Sequence, residues 1–388
     1  MHASARLRAG FTPVIGALFF ASAALAKAPP TTPPIDEVVR EAAHTLMQQN
    51  GIPGLAIAVT VDGRQHFFNY GVASKKTQRP VTRDTLFEIG SISKTFTATL
   101  ASYAQATGRL ALTDPPAKHL PPLEGSAFGN NTTLMHLGTH TAGGFPLQVP
   151  DAVQTTGQLF DYLRTWQPQY VAGTRRTYAN PSIGMLGLIA AKSLDLPFEE
   201  AMARHVFRPL GLKHTTLDVP AAQMASYAQG YTRTDAPIRL RGGVLGAEAY
   251  GVRTSARDLI RFVEANLRGP GTTPLQRAIE ATHTGYFRTG VMTQDLVWEQ
   301  YPYPVALPVL LEGNGDKMAY ETQDATPIDP PQPPQQAVWI NKTGSTNGFA
   351  AYVAFVPAKK IGIVVLANKN VPIAPRVRLA YEILEKLE

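Results

Sequence analysis

The sequence predicts a mixed α/β fold of the α+β type. One antiparallel sheet, drawn from the N- and C-terminal parts of the chain and flanked by helices, carries an inserted all-helical lobe. Three observations predict this layout. Near the start, Leu55 to Val61 is mostly apolar and β-prone, Asp62-Gly63 is a tight-turn pair, and His66 to Tyr70 brings the chain back. Near the end, Phe349 to Val356, a turn at Pro357-Ala358-Lys359-Lys360, and Ile361 to Leu366 repeat the pattern. Between them, Leu159 to Trp166, Ile183 to Leu194 and Ala256 to Leu267 carry apolar residues at helical spacing.

The remaining elements follow in chain order. A helix is expected from about Asp36 to Gln49, stopped by Gly51-Ile52-Pro53-Gly54. A second helical pattern opens at Gly90-Ser91 and runs to Gly108. Pro327 to Gln336 reads as an exposed polyproline-like loop that serves as a spacer. A terminal helix begins near Ala374, with Val377, Ala380, Leu384 and Leu387 on one face. Residues 27–108 and 283–388 are therefore expected to form the sheet-bearing lobe, and residues 109–282 the mainly helical one, with the site between them.

Residues 1–26 read as a secretory signal peptide. Arg6 and Arg8 precede an apolar run from Phe11 to Leu25, and Ala24-Leu25-Ala26 supplies a small-x-small cleavage pattern. Export is the expectation, with the mature chain starting near Lys27. No later stretch reaches the ~18 apolar residues of a membrane span. With no cysteine in the chain, disulfides, thiol catalysis and cysteine-held metals are excluded. The formal charge of +7 becomes +5 once Arg6 and Arg8 are set aside. No Lys/Arg cluster is dense enough for a nucleic-acid stripe, whereas a small anionic substrate suits this charge.

Chemistry concentrates in three separated elements. Ser91 and Lys94 in Gly90-Ser91-Ile92-Ser93-Lys94 differ by three, so on a helix they share a face. A serine hydroxyl is a poor nucleophile until a neighbouring base takes its proton, and a lysine amine can do so if partly deprotonated. The Ser91 N–H, at a helix start, can face a developing oxyanion. Ser93 is set aside as nucleophile because it lies ~100° round the helix from Lys94.

Tyr178-Ala179-Asn180 follows in a loop between Gly173 and Pro181. Two nearby ammonium groups would favour the phenolate and make Tyr178 a proton shuttle. Asn180 offers a carbonyl and an amide for orienting Lys94 and a substrate amide. Lys342-Thr343-Gly344-Ser345 leads into the C-terminal hairpin. It supplies a cation, a hydroxyl and a glycine that lets a ligand lie against the backbone. The Ser345 N–H would complete an oxyanion hole with that of Ser91. Each element alone has a bland explanation: a capping serine with a solvated lysine, a loop tyrosine, or an exposed strand lysine.

Together and in this order they resemble the penicillin-recognising serine hydrolases. With Tyr-Ala-Asn as the middle element, the chain is similar to the class C β-lactamases, the cephalosporinases. Phe87 to Ala98, Thr141 to Gln148, Ala247 to Val252, His283 to Phe287 and Asn341 to Phe349 extend the resemblance over essentially the whole mature chain. It implies a periplasmic, monomeric, cofactor-free hydrolase of cephalosporins and penicillins. Ser91 would be acylated, and Lys94 and Tyr178 would share the proton traffic, either one being the formal base. Lys342 would support Tyr178 and, with Thr343, face the substrate carboxylate. Gln148 and Asn180 would bind the side-chain amide, Tyr250 would line the site, and Asn370 and Arg376 would lie near the carboxylate end. Arg376 also opposes the macrodipole in the first turn of its helix, which suggests an anionic partner. Departures from the family pattern are His140, Gly246, Val371 and Ile373.

Other chemistries would leave different signatures. His136 and His140 are four apart, but no His-Glu-x-x-His and no third ligand accompany them, so no metal is expected. No Gly-x-Ser-x-Gly marks an α/β-hydrolase. A D-Ala-D-Ala carboxypeptidase, an esterase of the same fold, or a penicillin sensor that acylates without turnover would use the same serine.

Overall fold

The computed structural model describes residues 35–387 and a few isolated positions among the first ten. The apolar core of the expected signal peptide, its cleavage pattern and residues 27–34 lie outside the described residues.

A nine-stranded antiparallel sheet organises the chain. Its strands are β1 (Gly54–Val61), β2 (Arg64–Gly71), β3 (Gly285–Thr289), β4 (Met292–Asp295), β5 (Glu299–Pro302), β6 (Thr326–Gln332), β7 (Val338–Ser345), β8 (Ala350–Val356) and β9 (Ile361–Ala367). They lie in the order β6-β3-β4-β5-β7-β8-β9-β1-β2. The two hairpins read from the sequence join where β1 pairs with β9, Leu55 opposite Ala367 and Val61 opposite Ile361. These strands read as continuous apolar runs because both sheet faces are covered. Ile57, Val59, Ile363 and Val365 enter one core, and Ala56, Ala58, Val364 and Leu366 the other.

Helices α1 (Ile35–Asn50), α2 (Ser93–Ala106), α3 (Asn180–Ser193), α4 (Ala256–Leu267) and α5 (Ile373–Glu385) frame the sheet. α1 and α5 cover one face through Val38, Leu46, Val377, Ala380 and Leu384. α4 covers the other with Phe262 and Val263. α2 is buried nearly all round, from Ser93 to Ala104, so its first turn is fixed in the interior beside the sheet.

Two local expectations are corrected. Thr326–Gln332 is not a free polyproline loop but an edge strand, paired with β3 at Thr326 opposite Arg288, Pro327 opposite Phe287 and Gln332 opposite Gly285, with an irregular stretch between Pro327 and Gln332. Pro327 is tolerated because an edge strand has one side without ladder partners, and Pro330 and Pro331 because they fall in the irregular stretch. Ser91 belongs not to the α-helix but to a separate 3-10 turn, Gly90–Ile92, that leads into α2.

Candidate active site

The Ser91 turn is held against β7 by two glycines. Gly90 has φ +51°, a left-handed conformation that suits glycine, and a Cβ there would overlap the Ser345 backbone. A Cβ on Gly344 would overlap the Ile89 carbonyl. The two backbones can therefore touch, and Ser91 and Ser345 border one cleft of about 460 Å³.

Inside it, Lys94 Nζ donates to Ser91 Oγ at 3.0 Å and to the Ala249 carbonyl at 2.9 Å. Lys94 is fully buried. Burial pushes its pKa down, with the Lys342 charge acting in the same direction against the pull of Tyr178. Three cations surround the Tyr178 ring: Lys94 Nζ at 5.1 Å from its centre, Lys342 Nζ at 5.2 Å and the Arg176 guanidinium at 5.6 Å. Burial raises the phenol's pKa, but Lys94, Lys342 and hydrogen bonds from Ser91 and Lys94 outweigh it and hold Tyr178 below its ordinary value. Ser93, by contrast, is buried and accepts the Val252 N–H at 3.0 Å, so its hydroxyl does not face the cleft.

Gln148, Asn180, Tyr250, Thr343, Gly344 and Asn370 all line the same cleft. Asn180 opens α3, and its N–H donates to the Leu147 carbonyl at 2.9 Å, tying the Gln148 segment to Tyr178. The expected contact of Asn180 with Lys94 is not formed. The Ala249 carbonyl takes that place, and Asn180 Oδ1 is buried with no protein donor. Arg376 also differs from expectation. It lies behind the cleft wall, donating to the Gly344 carbonyl at 2.5 Å, to Ser345 Oγ at 2.7 Å and to the Ala351 carbonyl at 3.1 Å. Backbone carbonyls and a hydroxyl, not an anion, are what its guanidinium meets.

Sequence reasoning missed several participants. Glu299 on β5 accepts from Lys342 Nζ at 2.9 Å and from Asn341 Nδ2 at 3.1 Å, with Arg176 Nη2 at 3.7 Å. Arg176 is in turn fixed by Gln294 Oε1 and the Met318 carbonyl, both at 2.7 Å. It stands two residues before Tyr178 in an extended segment, so the period-2 rule could have placed both on one side. Nothing local marks Glu299. His140 packs its ring 4.5 Å from that of Tyr178 and accepts the Ala179 N–H at 3.3 Å. Burial and the surrounding cations hold its pKa well below the ordinary range, so it is neutral. His136 accepts the Thr133 N–H at the start of a short helix.

Comparison with known proteins gives the family. The Beta-lactamase family model matches residues 39–388. A beta-lactamase of Lysobacter lactamgenus is 53% identical over 370 residues, covering 95% of this chain and 96% of the relative. A solved class C beta-lactamase in complex with cefoxitin superposes with a TM-score of 0.88 at 52% identity, covering 90% of this chain and 98% of that one. A beta-lactamase/D-alanine carboxypeptidase from Pseudomonas syringae superposes with a TM-score of 0.89 at 57% identity, covering 91% and 99%. The chain belongs to the beta-lactamase family, as a class C serine β-lactamase.

Proposed function

We propose that this enzyme opens the lactam ring of cephalosporins and penicillins through an ester formed on Ser91. Ser91 Oγ bonds to the lactam carbonyl carbon while its proton passes to the Lys94–Tyr178 pair. The N–H groups of Ser91 and Ser345 hold the oxyanion. The C–N bond then breaks and the nitrogen takes the proton. A water attacks the ester, giving its proton to Tyr178, the C–Oγ bond breaks, and Ser91 recovers its hydrogen. Lys342 and Thr343 receive the substrate carboxylate, while Gln148 and Asn180 receive the side-chain amide. Asn180 Oδ1, lacking a donor within the protein, suits an incoming amide N–H.

The observation that carries this reading is the 3.0 Å Lys94–Ser91 contact beneath a phenol flanked by two ammonium groups. Purified Ser91→Ala should lose hydrolysis of a chromogenic cephalosporin; the parent rate in that variant would overturn the assignment. A D-Ala-D-Ala carboxypeptidase reading is supported by the names of two similar structures, from Pseudomonas syringae and Burkholderia cenocepacia, each called a D-alanine carboxypeptidase. Steady-state comparison of a cephalosporin with a D-Ala-D-Ala peptide separates the two.

In this reading the leader pattern supports a periplasmic enzyme, its modest charge argues against a nucleic-acid partner, and its resemblance to the family supports a monomer. Among the described residues no helix is long and apolar enough to cross a membrane. In the same reading the cleft divides residues 27–108 and 283–388 from residues 109–282. Its lining supports this, with Ser91 and Lys342 on one side and Gln148, Tyr178 and Tyr250 on the other.

A further inference from the structure

The cleft carries more positive charge than the catalytic set uses. Its charged lining residues are Arg176, Lys342, Arg241 and Glu299. Arg176 and Lys342 are buried and share the Glu299 carboxylate. Neighbouring arginines are also engaged. Arg239 donates to the Ala228 and Tyr227 carbonyls and lies 4.2 Å from the Tyr227 ring centre. Arg253 donates to the Leu217 and Gly251 carbonyls, and Arg233 to Asn370 Oδ1. Arg241 is exposed, and its guanidinium makes no ion pair or hydrogen bond among the described residues.

Its position is nevertheless fixed. The preceding residue, Leu240, donates its N–H to Glu88 Oε1 at 2.7 Å, while Glu88 Oε2 accepts from Thr346 Oγ1 at 2.6 Å. Glu88 is buried and stands three residues before Ser91. One carboxylate thus ties the Arg241 segment to the loop after β7 and to the nucleophile turn. A guanidinium offers a planar fork that pairs bidentately with a carboxylate or sulfonate.

We infer that Arg241 forms a second anion subsite, so that the enzyme favours β-lactams whose acyl side chain bears a carboxylate or sulfonate. This rests on the β-lactam reading above, in which Lys342 and Thr343 already serve the carboxylate common to the drug class, leaving Arg241 for another anion. An exposed pair of this kind is screened by salt and changes rates by about fivefold.

The test is the ratio of kcat/KM for a penicillin with an α-carboxylated arylacetyl side chain to that for its neutral counterpart. It is measured at low and high salt for the parent, Arg241→Gln and Arg241→Lys. The ratio should fall about fivefold in Arg241→Gln, fall less in Arg241→Lys, which keeps the charge but not the fork, and decline with salt in the parent but not in Arg241→Gln. An Arg241→Gln ratio within twofold of the parent's, or an undiminished salt dependence in that variant, overturns the inference. A parent that hydrolyses neither these penicillins nor a chromogenic cephalosporin instead overturns the β-lactam reading, and the subsite falls with it.

Discussion

Lys342 Nζ lies 2.9 Å from Glu299 Oε1 and 5.2 Å from the centre of the Tyr178 ring, so one ammonium serves a carboxylate and a phenol together. Arg176, 3.7 Å from the same Glu299 oxygen, does likewise from another direction. The positive field on Tyr178 is therefore partly neutralised from behind by Glu299.

Replacing Glu299 by Gln leaves two buried cations without a countercharge, which should cost about 3–5 kcal/mol of stability. With that negative charge gone, the phenolate of Tyr178 is favoured further and its pKa falls. The acidic limb of the kcat/KM profile should then move to lower pH. A limb that stays in place, or moves up, would show that Glu299 does not set the field at Tyr178.

Tyr178→Phe keeps the ring between its cations and removes only the oxygen. Turnover should drop by ~10² to 10⁴ if that oxygen carries the proton. Stopped-flow traces separate the acylation and deacylation phases. Parent-like rates in both phases would remove Tyr178 from the proton path.

Gly344→Ala places a methyl group on the Ile89 carbonyl and must part β7 from the Ser91 turn. Weakening one oxyanion donor in this way should lower kcat by about 10² to 10³. Circular dichroism of the variant checks that the sheet is retained. A full-speed Gly344→Ala enzyme would separate backbone contact from catalysis.

Acid should weaken the fold through buried histidine. His283 is held by Asn266 Oδ1 at 2.9 Å and packs between Trp298 and Phe355; burial lowers its pKa to about 4. The unfolded chain binds this proton below about pH 6.5, and the folded chain only below about 4. Stability is thus unaffected by this group above pH 6.5 and declines as pH falls towards 4, with about 2 kcal/mol lost by pH 5. His140, also held neutral, acts in the same sense. Urea unfolding at pH 7 and pH 5 measures the difference, which should shrink in His283→Gln. An unchanged difference would exclude His283 as a source.

The hairpins were legible because their signals are local. Asp62-Gly63 and the apolar runs around it specify β1 and β2 from neighbouring residues alone. The edge strand β6 was not legible, since Pro330 and Pro331 argue against a strand unless one knows that they fall in its irregular stretch. In the site, Ser91, Lys94, Tyr178 and Lys342 stand out as residue types with few uses other than chemistry in that order. Glu299 and His140 do not. A carboxylate between Trp298 and Gln300 becomes a countercharge only once β5 pairs with β7 and sets it opposite Asn341. Arg376 misled for a related reason: helix position suggested an anion, while packing supplied the Gly344 and Ala351 carbonyls.

The nucleophile itself is open to direct observation. Tyr178→Phe quenched in acid during turnover of a slow cephalosporin, then digested and mapped by mass spectrometry, should carry the opened drug on the peptide containing Ser91. The Tyr178→Phe/Ser91→Ala double variant should carry none. An adduct on any other residue, or steady hydrolysis with Ser91 absent, would contradict acyl transfer through Ser91.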